Sequence, residues 1–177
     1  MKKTLAILAA LVMVIGLAAA AVAEEVPTFS KGIQFNMDMD QVIQLMDEPR
    51  YEIDNERTRG PVEFYELEYE NIRSQEGFFF DLKYLFVGNS LVALRYDFAE
   101  GTSYEEVKAS LTAVYGEAVP FDASVIGNGK YAIDDDGELW NCKEMIVTKN
   151  LIIVLEQDHD GDVEATGIDP TAAFLFN

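Results

Sequence analysis

The chain has 177 residues and carries 13 basic against 32 acidic side chains, a net charge of −19 at pH 7. A field this negative repels phosphate backbones and anionic lipid, so nucleic acid and membrane surfaces are disfavoured as partners and a basic protein surface is favoured. Apolar residues make up 49% of the chain, too many for a disordered acidic polymer. The composition therefore predicts a folded domain with its own core.

The N-terminus is typical of a secretory signal peptide (1–23). Two lysines precede an apolar run (5–23) that ends in the small-x-small cleavage site AVA. An uncleaved anchor is the alternative, since the run is about as long as a membrane-spanning helix needs. We expect cleavage and a secreted or periplasmic location, with residues 24–35 as a linker or lead-in. Cleavage removes two basic residues and no acidic ones, so the net charge becomes −21.

The first structural pattern is a helix in "MDMDQVIQLMDEPR" (37–50). Apolar residues recur there at i, i+3, i+4 and i+7 from Met39, which places them on one helical face. Asp38 and Gln41 have the spacing of a capping box, and Pro49 is a stop signal.

Strand patterns follow the helix. The alternating stretches are "VEFYELEYE" (62–70), "GFFFDLKYLFV" (77–87) and "LVALRYDF" (91–98). Gly88-Asn89 is typical of a tight hairpin turn between the last two. Residues 56–61 and 70–77 are predicted as loops.

The pattern restarts after residue 100. A second helix is predicted in "TSYEEVKASLTAVYGEAVP" (102–120), and its start aligns with that of the first helix. The strands predicted after it are 129–133, 138–148, 151–157 and 171–177. The sequence therefore predicts an α+β fold of two tandem helix-plus-antiparallel-sheet repeats, residues 36–100 and 101–177, with the helices packed on one side of the sheet.

"MDMDQVIQLMDEP" and "YEEVKASLTAVYGEA", with the hairpin "GFFFDLKYLFVGNSLVALRYDF", resemble the helix and hairpin of SmpA/OmlA (BamE-type) domains. Two such domains in tandem are similar in layout to the secreted β-lactamase-inhibitor proteins. The resemblance covers about residues 32 to 157. It implies a protein-binding module that presents a sheet face to a partner, with no catalytic residue to carry over.

"LEQDHDGDVEATGIDP" (155–170) is the stretch closest to a metal motif. Acids stand at positions 1, 3, 5 and 12 of an EF-hand spacing, but the glycine, Gly161, stands at position 4 and not at 6. The candidate calcium ligands are Asp158, Asp160, Asp162 and Asp169. The alternative is a solvated acidic turn, in which His159, the only histidine, is exposed. No other cofactor is predicted.

The strands carry more aromatic residues than a single helix covers. Most of these are predicted to be core, and the outward members are predicted to form an exposed patch for a protein or glycan. The candidate binding residues are Tyr65, Tyr69, Phe79 and Leu85.

No nucleophile elbow, zinc motif or phosphate loop occurs, and 32 acids supply so many carboxylate pairs that none is informative. The function predicted first is an exported, non-enzymatic protein-binding module with an acidic surface and a basic partner. The alternatives are an envelope-associated protein that binds calcium or glycan, and a carboxylate-based hydrolase.

Overall fold

The structure is a computed structural model of the chain, and it describes residues 27, 29–59, 62–73, 79–129 and 142–173. The predicted signal peptide (1–23) lies outside these residues, as does nearly all of the strand predicted at 129–133. Within the part of the chain that is described, neither helix combines the length and the apolar character that a membrane crossing requires.

Strands dominate the described residues. The strands are β1 (Glu52–Arg59), β2 (Val62–Arg73), β3 (Phe79–Val87), β4 (Ser90–Phe98), β5 (Val119–Pro120), β6 (Cys142–Val147), β7 (Ile152–Gln157) and β8 (Val163–Ile168). Two α-helices, α1 (Met39–Met46) and α2 (Tyr104–Tyr115), and 3-10 turns at Ser30–Gly32 and Ala123–Gly129 complete the described elements.

Local signals place the first helix and the central hairpin as predicted. The backbone N–H of Gln41 donates to Asp38 Oδ1 at 2.8 Å, and that of Asp38 donates to Gln41 Oε1 at 3.0 Å, so the capping box is confirmed. Between β3 and β4, Val87 pairs with Ser90 across the two-residue turn, where Gly88 has a φ of 61°. A glycine adopts that left-handed conformation without steric cost.

The prediction of two tandem helix-plus-sheet repeats is wrong. All eight strands form one antiparallel sheet in the order β1-β2-β3-β4-β8-β7-β6-β5. Strands β4 and β8 join the two halves through five residue pairs, from Ala93 with Ile168 to Asp97 with Glu164. The backbone groups along β4 are satisfied on both sides by strands, so the fold is sheet-dominated and continuous across the predicted boundary at residue 100.

The main core lies between the helices and one face of the sheet. Val42 of α1 and Val107 of α2 belong to the same buried cluster as Tyr84 and Leu155 of the sheet. A smaller cluster lies on the opposite face, where Ile126 of the second 3-10 turn packs over the apolar end of β7 and β8. The remainder of that opposite face carries charged side chains.

Candidate functional site

Four carboxylates lie opposite one another on four neighbouring strands of the charged face. In the register of the sheet, Asp81 of β3 pairs with Asp97 of β4, Asp97 with Glu164 of β8, and Glu164 with Glu156 of β7. We call these four residues the acid row. Like charges directly opposite in a sheet are destabilising, so the row costs the fold free energy.

Two cations, each two residues from an acid of the row on the same strand, compensate part of this repulsion. Lys83 Nζ lies 3.2 Å from Glu68 and 3.7 Å from Asp97. Arg95 Nε lies 3.2 Å from Asp97 Oδ1 and 3.7 Å from Glu164 Oε2. These contacts run across β2, β3, β4 and β8, and they form the ion-pair ladder. Its acids outnumber its cations, so the face keeps a negative charge.

Burial makes three members of the acid row, Asp97, Glu156 and Glu164, harder to ionise. Glu156 is only 4% exposed, and burial, reinforced by the charge of Glu164, raises its pKa to about 8 although Arg95 opposes the shift. Burial is also the main cause that raises the pKa of Asp97 and of Glu164. Burial therefore favours the protonated form of these three acids, and a cation placed against them would favour their ionised form.

A pocket of about 340 Å³ opens onto one end of the charged face. Its lining residues are Asn71, Phe80, Asp81, Asp97, Phe98, Ala99, Glu100, Asp158, Asp162, Val163 and Glu164. Three members of the acid row form its floor, and Glu100, Asp158 and Asp162 add carboxylates from the loops that flank it. Among the described residues, six lining side chains are acidic and none is basic, so the pocket is suited to a cationic group.

The loops around the pocket are fixed by local hydrogen bonds. Asp158 Oδ1 accepts the backbone N–H groups of Asp160, Gly161 and Asp162 at 2.9, 2.7 and 2.8 Å. This carboxylate therefore caps the β7–β8 turn, as short aspartate-rich turns commonly require. On the other side, Asn71 lies at a bulge of β2 with a φ of 53°, and its N–H donates to Asp81 Oδ1 at 2.6 Å.

The four predicted calcium ligands do not come together. Asp158, Asp160 and Asp162 share the β7–β8 turn, but Asp169 follows the far end of the six-residue β8, about 20 Å away. Asp169 is buried, and its Oδ1 accepts the N–H and hydroxyl of Thr171. Asp158, His159 and Asp160, all exposed, can each bring one ligand atom within 4.8 Å of the others.

The predicted aromatic patch is not one surface. Contrary to the expectation, Tyr69 is 0% exposed and lies in the main core beneath the helices. Tyr65 is partly buried against that core, and its hydroxyl donates to Glu63 Oε2 at 2.7 Å. Leu85 packs against the smaller cluster on the opposite face. Phe79 pairs with Arg73 of β2, and its side chain lies outside the described residues.

Comparisons with protein-family models, with curated proteins and with solved structures gave no match. The candidate site is therefore defined by its geometry alone. The resemblance to tandem assembly-lipoprotein domains stays a prediction.

Sequence reasoning did not find the acid row, although part of its signal is visible. Asp81, Asp97 and Glu164 each stand between apolar residues in stretches that form strands. A charge at an alternate position of such a strand predicts the solvent face and no more. What makes the row a site is the pairing of β4 with β8, and the sequence gives no direct sign of it.

Proposed function

We propose that this chain is an exported, non-enzymatic module that binds a basic protein partner through its acidic surface. The observation that carries the proposal is the pocket of about 340 Å³, whose lining in the described part of the chain has six carboxylates and no basic residue. A negative, concave surface attracts a positive partner from a distance and fixes its orientation on contact.

The construction of the pocket also supports binding. Its floor lies on strands at the centre of the sheet, so the carboxylates of Asp97 and Glu164 are positioned by backbone pairing on both sides. Binding groups that lie on rigid elements lose little freedom when a partner docks. The acid row is unfavourable to the free protein, and such local conflicts are typical of functional sites.

Two exposed acids of the pocket wall give the first test. The pair Glu100→Gln/Asp162→Asn removes two charges without removing a hydrogen bond that the structure assigns to either side chain. We expect an affinity-tagged chain that carries this pair to recover its partner from the extracytoplasmic fraction about tenfold less efficiently than the wild type. Quantitative mass spectrometry of the eluates measures the change.

The matched control is Asp40→Asn/Glu117→Gln, which makes the same charge change at exposed positions on α1 and after α2. It should recover the partner as the wild type does. If both double variants recover equally less partner, only the net charge of the chain matters. If the wild type recovers no protein above the untagged background, the proposal of a protein-binding module is refuted.

Calcium binding at the β7–β8 turn is the second candidate, and a specific observation favours it. Asp158, His159 and Asp160 can converge within 4.8 Å, and Asp158 and Asp162 also line the acidic pocket. Calcium prefers six to eight oxygen ligands, and this group supplies two carboxylates, so we expect binding no tighter than that of weak extracellular modules, with a Kd of about 0.1 to 1 mM.

A calcium titration tests this candidate. If calcium binds, 10 mM should stabilise the folded chain by about 1.4 kcal/mol or more, and Asp160→Asn should reduce that gain. Differential scanning calorimetry at constant ionic strength, with magnesium as the control, measures it. An identical melting temperature in calcium and magnesium would refute calcium binding at the β7–β8 turn.

A further inference from the structure

We infer that the charged face of β3, β4 and β8 is a docking surface for an extended basic segment of the partner, which places alternate arginine or lysine side chains along the floor of the pocket. The inference rests on the proposed function and specifies which surface is used and what chemistry occupies it. Asp81, Asp97 and Glu164, one on each strand, would be the contact groups.

The spacing of the floor fits alternate side chains of an extended chain. Neighbouring strands are about 4.8 Å apart, so the carboxylates of Asp81 and Glu164 belong to strands about 10 Å apart. In an extended segment, side chains on the same side repeat every 6.6 to 6.8 Å or so. Two basic residues separated by one residue therefore fall within the length of the floor.

Charge complementarity selects the occupant. The lining residues that the structure describes include six carboxylates and no cation, and the two cations of the adjoining ladder, Lys83 and Arg95, are already paired with acids. A second copy of this chain would bring the same negative face and would be repelled. A segment with two cations instead relieves the repulsion between Asp97 and its cross-strand neighbours.

Arginine suits this floor better than lysine. Its planar guanidinium presents several N–H donors that can contact two carboxylates at once, whereas an ammonium group is a compact point charge.

Two pentapeptides of identical composition test the inference on the purified full chain. Acetyl-TRTRT-amide places both arginines on one side when extended, whereas acetyl-TRRTT-amide places them on opposite sides. We expect the alternating peptide to bind about tenfold more tightly in 0.1 M salt. Chemical-shift titration gives both dissociation constants, and the perturbed amides should lie in β3, β4, β8 and the β7–β8 turn.

The floor variant Asp81→Asn/Glu164→Gln should weaken the alternating peptide about tenfold and remove its advantage over the other peptide. Its melting temperature should stay close to that of the wild type, because removing like charges from the acid row offsets the loss of the Arg95–Glu164 ion pair, and an amide oxygen at position 81 can still accept the N–H of Asn71. The control Asp40→Asn/Glu117→Gln should bind as the wild type does.

Three results would overturn the inference: equal affinity for the two peptides, full binding by the floor variant, or a linear triamine that binds as tightly as the alternating peptide. If any of these results appears while Glu100→Gln/Asp162→Asn still recovers less of the natural partner than the wild type does, the proposed docking geometry is wrong and the proposed function stands. If neither peptide binds and no partner is recovered, both fail together.

Discussion

Replacing Glu156 by Gln should stabilise the protein above pH 8, by about 3 to 5 kcal/mol if the pKa of Glu156 shifts back fully on unfolding. Glu156 is buried opposite Glu164, and burial raises its pKa to about 8 from an ordinary value of 4.5. Gln has nearly the same shape as the protonated acid. Its Oε1 can accept from the hydroxyl of Thr166, which lies 3.4 Å from Glu156 Oε1.

The pH window follows from the direction of the shift. Between about pH 4.5 and 8 the folded chain holds the Glu156 proton and the unfolded chain has released it, so the free energy of unfolding falls as pH rises. The contribution is fully present below pH 4.5 and is lost above pH 8. The advantage of Glu156→Gln over the wild type should therefore be small at pH 4, grow through the neutral range and level off above pH 8.

Urea denaturation at five pH values between 4 and 9 measures this difference. Glu144→Gln on β6 is the control of opposite sign, because the Lys108 ammonium, 2.7 Å away, lowers the pKa of Glu144. That variant should be less stable than the wild type by about 0.5 kcal/mol at neutral pH. A difference between wild type and Glu156→Gln that does not change with pH would refute the buried carboxylate pair.

Sequence patterns predicted the elements whose signals are local. The capping box of Asp38 and Gln41 and the turn at Gly88 depend on residues within a few positions of one another, and both are present. Strand β1, "EIDNERTR", was predicted in part as a loop because it has almost no apolar alternation. It lies at the edge of the sheet with a single neighbouring strand, and charged residues are common at such edges.

Strand β8 was missed for a different reason. Its sequence "VEATGI" includes alanine and glycine. Alanine and glycine are depleted in strands, so this composition does not signal a strand. Because β8 was not predicted, no strand was expected to join the two halves of the sheet. The continuous sheet and the acid row could therefore not be predicted from the sequence. The acidic stretch after β7 was located, with a solvated turn as one of its two interpretations, and the structure adds the three hydrogen bonds to Asp158 that cap this turn.

Leu155→Ala should lower the free energy of unfolding by about 2 to 5 kcal/mol and should weaken the whole sheet, not only its second half. Leu155 of β7 is 0% exposed and belongs to the core cluster that also contains Tyr84 of β3. Since β8 pairs with both β7 and β4, a cavity at Leu155 destabilises one cooperative unit.

Hydrogen exchange of backbone amides distinguishes this outcome from independent halves. In Leu155→Ala, the slowest amides of β2 and β3 should lose as much protection as those of β7 and β8. Val147→Ala on β6 is the control, because Val147 is 50% exposed and its truncation should change stability by less than about 0.5 kcal/mol. Unchanged protection in β2 and β3, together with two separate unfolding transitions, would show that the β4–β8 pairing does not couple the halves in solution.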